Sequence, residues 1–499
     1  MKKIGYLSLS LMLIALVAGN ALAEVPAGFS LSGGIDAPYV YRSSELNTAL
    51  NGQQLTTSDW VLSPLVTVNT KWDLKGKVTG FVSFENRRNQ FVGGTADPAQ
   101  FGGGVNIAPA ITQAYIKVNE FISPKLAMTY GIQDLNFTLR KGEGAFFMHP
   151  AASLTPFRAN FVDQNIANRA ATFRGVSEFS GFNFDFGSMK DDNYAVSVFW
   201  GKTFETVVTP GAKRCEDVLL GANVSYKLPG EMNMLKVLLA QMNNDLAGMS
   251  VMTLGVGVDY FGAVPNLEIY GEVYNQSGTA SSGGFDANGK PTDIDQAAMA
   301  FRLGGKYDFA NNPLKPWVGL SYWTIGGGDD SATYKQGSTK YTKNNEFVSY
   351  EDTQSTMILE DNLWGLNLNS NYNAIKVEAG ITTSLTLGGE KTDLDLKLLV
   401  GSFSLNKAPY TINAGPDEDL TVVDVLPTKT KTALGTEIDI VAMLHYTENL
   451  TFTLGLGMLS GSDFLKSVEI NDPAIGAGHK DTKTNDSMTM VTLGANLKF

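Results

Sequence analysis

Met252-Thr253-Leu254-Gly255-Val256-Gly257-Val258-Asp259-Tyr260 alternates strictly between two kinds of residue. Met252, Leu254, Val256, Val258 and Tyr260 fall on one side of an extended chain, and Thr253, Gly255, Gly257 and Asp259 on the other. Successive side chains of a strand point to opposite faces, so this segment has one greasy face and one small or polar face. The rhythm continues outward in both directions. Leu450, Phe452, Leu454, Leu456 and Met458 alternate with Thr451, Thr453, Gly455 and Gly457, with Leu459 following. Phe301, Leu303, Gly305, Tyr307 and Phe309 alternate with Arg302, Gly304, Lys306 and Asp308. Such runs extend over ~10 to 14 residues, against ~5 to 6 for an ordinary strand. A tilted strand crossing a bilayer needs ~9 to 11.

The connections sort by length. Short ones carry turn chemistry: Leu74-Lys75-Gly76-Lys77, Ser123-Pro124-Lys125, Asp191-Asp192-Asn193, Pro229-Gly230-Glu231, Val264-Pro265-Asn266, Asn311-Asn312-Pro313 and Thr447-Glu448-Asn449. Between them lie longer stretches rich in Gly, Asp, Asn and Ser, at 42–59, 89–109, 138–168, 277–295, 327–359 and 461–486. Short turns at one end and long loops at the other describe an up-and-down barrel of the bacterial outer membrane. Trp72, Tyr226, Tyr260, Tyr307 and Tyr446 each precede a short turn, which places amphipathic rings at one membrane interface. At the C-terminus Val491, Leu493, Ala495, Leu497 and Phe499 alternate with Thr492, Gly494, Asn496 and Lys498. This resembles the terminal strand by which the outer-membrane assembly machinery takes hold of its substrates, here through Phe499. That strand is expected to close against the first, at about Phe29 to Tyr41, because an open edge cannot exist in lipid.

Composition agrees. Of 499 residues, 43% are hydrophobic and 18% charged, and the net charge is −12. An acidic balance argues against nucleic acid as a partner. One Cys rules out a disulfide framework, and three His leave little for a metal cluster, so no cofactor and no metal is expected. Cys215 reads as a loop residue beside Lys213 and Arg214. Residues 1–23 read as a cleaved signal peptide: Lys2 and Lys3, the apolar run Ile4 to Ala18, then the cleavage site Ala21-Leu22-Ala23. The mature chain, 24–499, is expected to be the barrel, reaching the outer membrane of a Gram-negative bacterium.

The expected fold is a transmembrane antiparallel barrel of 18 strands, with 20 as the alternative. Residues 372–432 decide between them. The pattern places a strand at 360–371 and a short turn at Asn371 to Ala374. The alternations at 374–387 and 392–406 then form either one strand with a loop or a hairpin, and Leu420 to Leu426 could add another. A phase change at Gly181, between Phe179 and Phe182, suggests a β-bulge.

Leu434-Gly435-Thr436-Glu437-Ile438-Asp439-Ile440, with Asn449-Leu450-Thr451 and Gly461-Ser462-Asp463-Phe464, resembles the C-terminal signature of the alginate-export family of outer-membrane porins. Gln113-Ala114-Tyr115 and the stretch from Leu314-Lys315-Pro316 to Asp329 resemble earlier strands of that family, and Arg169 to Ser177 does so more weakly. The resemblance implies an 18-stranded monomeric barrel that passes solutes, in some members an anionic polysaccharide. The family usually has Gly-Arg-Gln where this chain has Gly131-Ile132-Gln133, so a basic lumen residue is missing.

If the apolar phase faces lipid, the other phase lines the pore. The acids there are Glu85, Asp259, Glu268, Glu272, Asp308, Glu437 and Asp439; the bases are Arg87, Lys227, Arg302 and Lys306. This mixed lining with an acidic surplus points to passive diffusion of small hydrophilic solutes and ions, weakly cation-preferring or unselective. A substrate-specific channel for a polysaccharide or organic anion is the alternative. The 138–168 loop is the candidate constriction, with Arg140, Lys141, Glu143, Arg158 and Asp163 among Phe146, Phe147 and Phe157. A barrel enzyme is the other class, but His149, His445 and His479 belong to no Ser/His/Asp set. A monomer and a homo-oligomer are both compatible with the pattern.

Overall fold

The computed structural model describes residues 28–44, 49–50, 53–54, 59–62, 65–86, 109–133, 179–207, 214–230, 233–244, 249–262, 264–285, 291–326, 343–344, 347, 355–360, 372–406, 432–461 and 487–499. They form a closed barrel of 18 antiparallel strands. In chain order these are β1 (Phe29–Ser44), β2 (Asp59–Leu62 and Leu65–Leu74), β3 (Val78–Asn86), β4 (Pro109–Val118), β5 (Leu126–Gln133) and β6 (Phe179–Gly187). Next come β7 (Tyr194–Val207), β8 (Arg214–Lys227), β9 (Met234–Asn244), β10 (Met249–Phe261), β11 (Leu267–Phe285) and β12 (Pro291–Asp308). The last six are β13 (Trp317–Ile325), β14 (Tyr372–Leu387), β15 (Glu390–Leu405), β16 (Ala433–His445), β17 (Leu450–Gly461) and β18 (Ser487–Lys498).

Every strand pairs with its neighbours in sequence, and β1 closes the ring. It pairs with β2 from Phe29↔Trp72 to Asp36↔Leu65, and with β18 from Gly34↔Lys498 to Ser44↔Met488. Gly33 and Phe499 exchange both backbone hydrogen bonds, at 2.9 and 3.1 Å. Closure leaves no ladder group facing hydrocarbon, which is the condition for strands to cross a bilayer. The alternation of the sequence decides which face turns outward. Met252, Leu254, Val258 and Tyr260 are exposed on the outside, while Thr253 and Asp259 are buried on the inside. Trp72, Tyr226, Tyr260 and Tyr446 stand exposed on the outer surface next to the short turns, and Tyr307 packs edge-on to Phe309.

Five expectations are corrected. β13 pairs directly with β14, from Trp317↔Gly380 to Ile325↔Tyr372, so no barrel strand at 360–371 can stand between them. What reads as a turn at Asn371 to Ala374 is the start of β14. The turn lies instead at Gly388-Gly389, with φ of 61° and 91°, the geometry of a two-residue hairpin that only glycine adopts readily. The 374–387 and 392–406 alternations are therefore a hairpin, which keeps the strand total at 18. Leu420 to Leu426 lies outside the described residues. Gly181 carries no bulge: it stays in register with Gly201 on one side and Gly131 on the other. Cys215 lies on β8, paired with Thr206, not in a loop. Finally, most of 277–295 is strand, because β11 and β12 continue to Phe285 and from Pro291.

Candidate functional site

Among the described residues the alternation brings charge to the inner face of the barrel, and two of its walls differ. On the wall from β9 to β14, side chains from neighbouring strands interlock. Glu272 on β11 stands opposite Arg302 on β12 in the ladder, and their charged groups lie 3.7 Å apart, both almost fully buried. The Arg302 guanidinium lies over the Tyr270 ring at 4.8 Å and over the Trp323 ring at 4.4 Å. Lys376 of β14 caps the same Trp323 ring at 3.7 Å. Cations held on aromatic faces in a desolvated wall gain more than exposed ones do. Tyr274 donates its hydroxyl to Glu272 at 3.1 Å. Lys236 of β9 feels the charges of Asp259 and Glu272. The result is one continuous run of alternating charges and rings.

The second feature is a piece of chain inside the barrel. Three described parts of the connection between β13 and β14 lie on the inner face. Lys343 and Asn344 pair in parallel with Asp295 and Gln296 of β12. Phe347 is buried, its ring 6.3 Å from that of Tyr274. Ser355 to Glu360 then lies against β14, β16 and β17, with Thr356, Met357, Ile358 and Leu359 all 0% exposed. Backbone N–H groups buried there need acceptors. Two carboxylates two residues apart on β16, and so on one face, provide them. Glu437 accepts from Ile358 at 2.5 Å and from Leu359 at 2.9 Å; Asp439 accepts from Met357 at 3.1 Å. Glu360 ends the segment in an ion pair with Lys376 at 2.6 Å and accepts the Tyr372 hydroxyl at 2.6 Å. Ser355 accepts a further hydrogen bond from the Lys376 ammonium. Space for the segment comes from Gly455 and Gly457, lumen-facing positions on β17. A Cβ on Gly457 would lie 3.0 Å from the Met357 Cβ, and one on Gly455 2.9 Å from the Met357 Cε.

The adjoining wall, β4 to β8, is different. Asp185 on β6 accepts from Ser197 at 2.6 Å and Asn183 at 3.1 Å, and lies 3.9 Å from Lys117. Lys117 and Asp185 are 39% and 33% exposed. Here the charges remain in contact with the interior space.

The residues singled out from sequence are therefore distributed unevenly. Asp259, Glu268, Glu272 and Arg302 are buried in or beside the interlocked wall. Glu437 and Asp439 hold the inserted segment. Lys306 lies 3.0 Å from Asp308 and over the Trp317 ring, near the short-turn end. Lys227 is half-buried at the end of β8. Glu85 takes its ladder position on β3 opposite Thr67 and Ala110. Arg87, Arg140, Lys141, Glu143, Arg158 and Asp163 lie outside the described residues. Sequence reasoning missed Lys376, Glu360, Tyr372 and Trp323. Trp323 had a signal: it lies on the lumen phase of β13, where an aromatic needs an inward partner.

No family model and no curated protein matches the sequence. Several solved structures are similar to it at low identity. OccD3 of Pseudomonas aeruginosa matches with 12% identity and a TM-score of 0.46, over 95% of this chain and 91% of that one. OprD, an outer-membrane protein of the same species, matches with 9% identity and a TM-score of 0.44, over 95% and 93%. An anion-selective porin from Comamonas acidovorans matches with 10% identity and a TM-score of 0.40, over 94% and 99%. The chain's place among outer-membrane barrels rests on its own closed antiparallel sheet and apolar outer face.

Proposed function

We propose that the protein is an outer-membrane channel for passive diffusion of small hydrophilic solutes and ions. The observation that carries this reading is the closed barrel of 18 strands whose inner face bears the charged and polar side chains. Eight strands are filled by their own side chains, whereas ~16 to 18 enclose an aqueous passage. The chain reaches its membrane by cleavage of 1–23 and by recognition of the strand ending at Phe499. The acidic surplus supports weak cation preference or none.

The narrower reading, a dedicated path for a polysaccharide or organic anion, has the 434–464 resemblance in its favour. It is weakened because Arg302 and Lys376 each face a buried glutamate at close range, which leaves a polyanion little basic surface. Single-channel recording in planar bilayers tests the proposal. Conductance steps with a reversal potential at or slightly towards the cation side are expected. Absence of steps would overturn it, and strong anion selectivity would replace it with the narrower reading.

A further inference from the structure

On that channel reading, we propose that Phe81 and Tyr115 form a stacking platform in the lumen for a neutral sugar ring, with Lys117 and Asp185 holding its hydroxyls. Tyr115 on β4 precedes Ile116, which is exposed on the outer surface, so Tyr115 faces inward. Phe81 on β3 stands directly opposite it in the ladder and shares that face. The two rings are stacked, with centroids 5.1 Å apart and planes 24° apart. Tyr270, Tyr274, Trp323, Tyr372 and Phe403, inward rings of the other wall, are all buried. Phe81 and Tyr115 are only half-buried. Apolar ring surface left in water is unfavourable, and a ligand face laid on it removes that cost. On its other side Tyr115 has Gly131 of β5 as its ladder partner. Gly131 has a φ of 132°, and a Cβ there would lie 2.2 Å from the Ala114 carbonyl oxygen. No side chain can stand at that position to cover the edge of the platform.

The polar border names the ligand. Lys117 lies two residues from Tyr115 on the same face of β4, about 7 Å along the strand. Its ammonium and the Asp185 Oδ2 are 3.9 Å apart. That is too long for a direct hydrogen bond and suits one bridging hydroxyl, which accepts from the ammonium and donates to the carboxylate. Ser197 and Asn183 both bond the other oxygen, Oδ1, and so fix the carboxylate in place. On the opposite flank Lys71 of β2 stands across from Phe81 in the ladder, with Asp73 two residues further on the same face. Two lysines and two aspartates leave the border without net charge. The matching ligand has an apolar face, hydroxyls that donate and accept, and no charge of its own, which describes a pyranose. A polyanion or an aromatic acid would set its charge against Asp185 and Asp73.

Cellobiose is the probe, and sorbitol, an open-chain polyol without a ring face, is its control. With the full chain in planar bilayers, cellobiose is expected to lower single-channel conductance saturably, and sorbitol only in proportion to its viscosity. Tyr115→Leu keeps an apolar side chain and removes the stacking plate. It should raise the half-saturating cellobiose concentration about tenfold. If wild type conducts and cellobiose has no effect, or none beyond that of sorbitol, the platform is overturned and the channel reading stands. An unchanged half-saturation in Tyr115→Leu, or tighter block by benzoate than by cellobiose, overturns it as well. If wild type shows no steps, the channel reading itself falls and takes this inference with it. If Tyr115→Leu does not assemble, as shown by loss of heat-modifiable migration on gels, the comparison of cellobiose, sorbitol and benzoate on wild type alone decides.

Discussion

Ion pairs in the lumen use the same residue types for opposite purposes, and the β11–β14 wall itself passes from one use to the other at its short-turn end, where Lys306 and Asp308 are 32% and 51% exposed. On the β11–β14 wall, Arg302 faces Glu272 and Lys376 faces Glu360, with side-chain exposures of 6% and 4% for the first pair and 0% for both members of the second. On the β4–β8 wall, Lys117 and Asp185 stand 3.9 Å apart with more than a third of the first and a third of the second in contact with the interior space. A desolvated pair holds structure in place; a hydrated pair leaves its field available to ions. Charge in the lumen phase is thus a poor guide to selectivity until burial divides it.

The largest expected effect comes from breaking the buried pair. Lys376→Met strips Glu360 of its cation in a site with no exposure. Removing one partner of such a pair costs about 3 to 5 kcal/mol, since a charge is left uncompensated. Replacing both, Lys376→Met with Glu360→Gln, should recover most of that loss. Urea unfolding of protein reconstituted in lipid measures all three. Equal stability of the single variant and wild type would show that Glu360 reaches water, and the contrast between the walls would disappear.

A smaller effect is expected from the seat. Gly457→Leu places side-chain atoms where Met357 and Asp439 already stand, with even a Cβ 3.0 Å from each. Overpacking of this kind costs about 1 to 3 kcal/mol when the segment stays in place. If the segment is displaced instead, stability changes less and conductance shifts. The two readings therefore separate by measuring both quantities on one preparation.

The exposed wall gives the reverse signature. Asp185→Asn should alter stability by no more than about 0.5 kcal/mol, as a hydrated surface pair contributes little. Its reversal potential in a salt gradient should nonetheless move towards anions, because Lys117 loses its neighbour. Arg302→Gln should do the opposite, costing stability with little movement in selectivity. A shift in selectivity with Arg302→Gln and none with Asp185→Asn would invert the assignment of the walls.

Much of this was readable in the residues, and the failures have physical causes. Period-2 alternation named the outer face because lipid demands apolar side chains along every strand. Interior positions carry no such uniform demand. Glu437 and Asp439 were legible as lumen residues, but not as acceptors for a distant backbone, since a carboxylate looks the same whether it meets water or an N–H. Lys376 and Tyr372 were missed because Asn371 to Ala374 reads as a turn after a strand at 360–371, whereas it opens β14. The misplaced strand then hid Glu360, whose neighbours Met357-Ile358-Leu359 are as apolar as any strand. One clue did exist. Gly455 and Gly457 repeat on the lumen phase, and Leu459, Met488 and Met490 are apolar there, a combination of free space and greasy lining that calls for a cover.

The smallest effect belongs to an ion pair outside both walls, which serves as a reference for them. Lys125 and Asp192 join two short turns, with Nζ and Oδ1 2.5 Å apart. Asp192 also accepts from the Ser188 N–H at 3.2 Å. Its hydrogen bond to Lys125 holds the Asp192 carboxyl below its usual value of 3.8, and the same bond raises Lys125 above its usual 10.5. A carboxyl held low stabilises the fold above 3.8 and loses that contribution as pH falls through its lowered value. An ammonium held high stabilises below 10.5 and loses its contribution as pH rises through the raised value. The stability difference between wild type and Asp192→Asn should therefore be flat across the neutral range and shrink at both extremes. It should also fade in ~1 M salt, where the screening length drops to ~3 Å. The Lys376–Glu360 pair, sealed from solvent, should show no such salt response. Equal salt sensitivity of the two pairs would mean that ions reach the inserted segment, and that the wall behind it is wet.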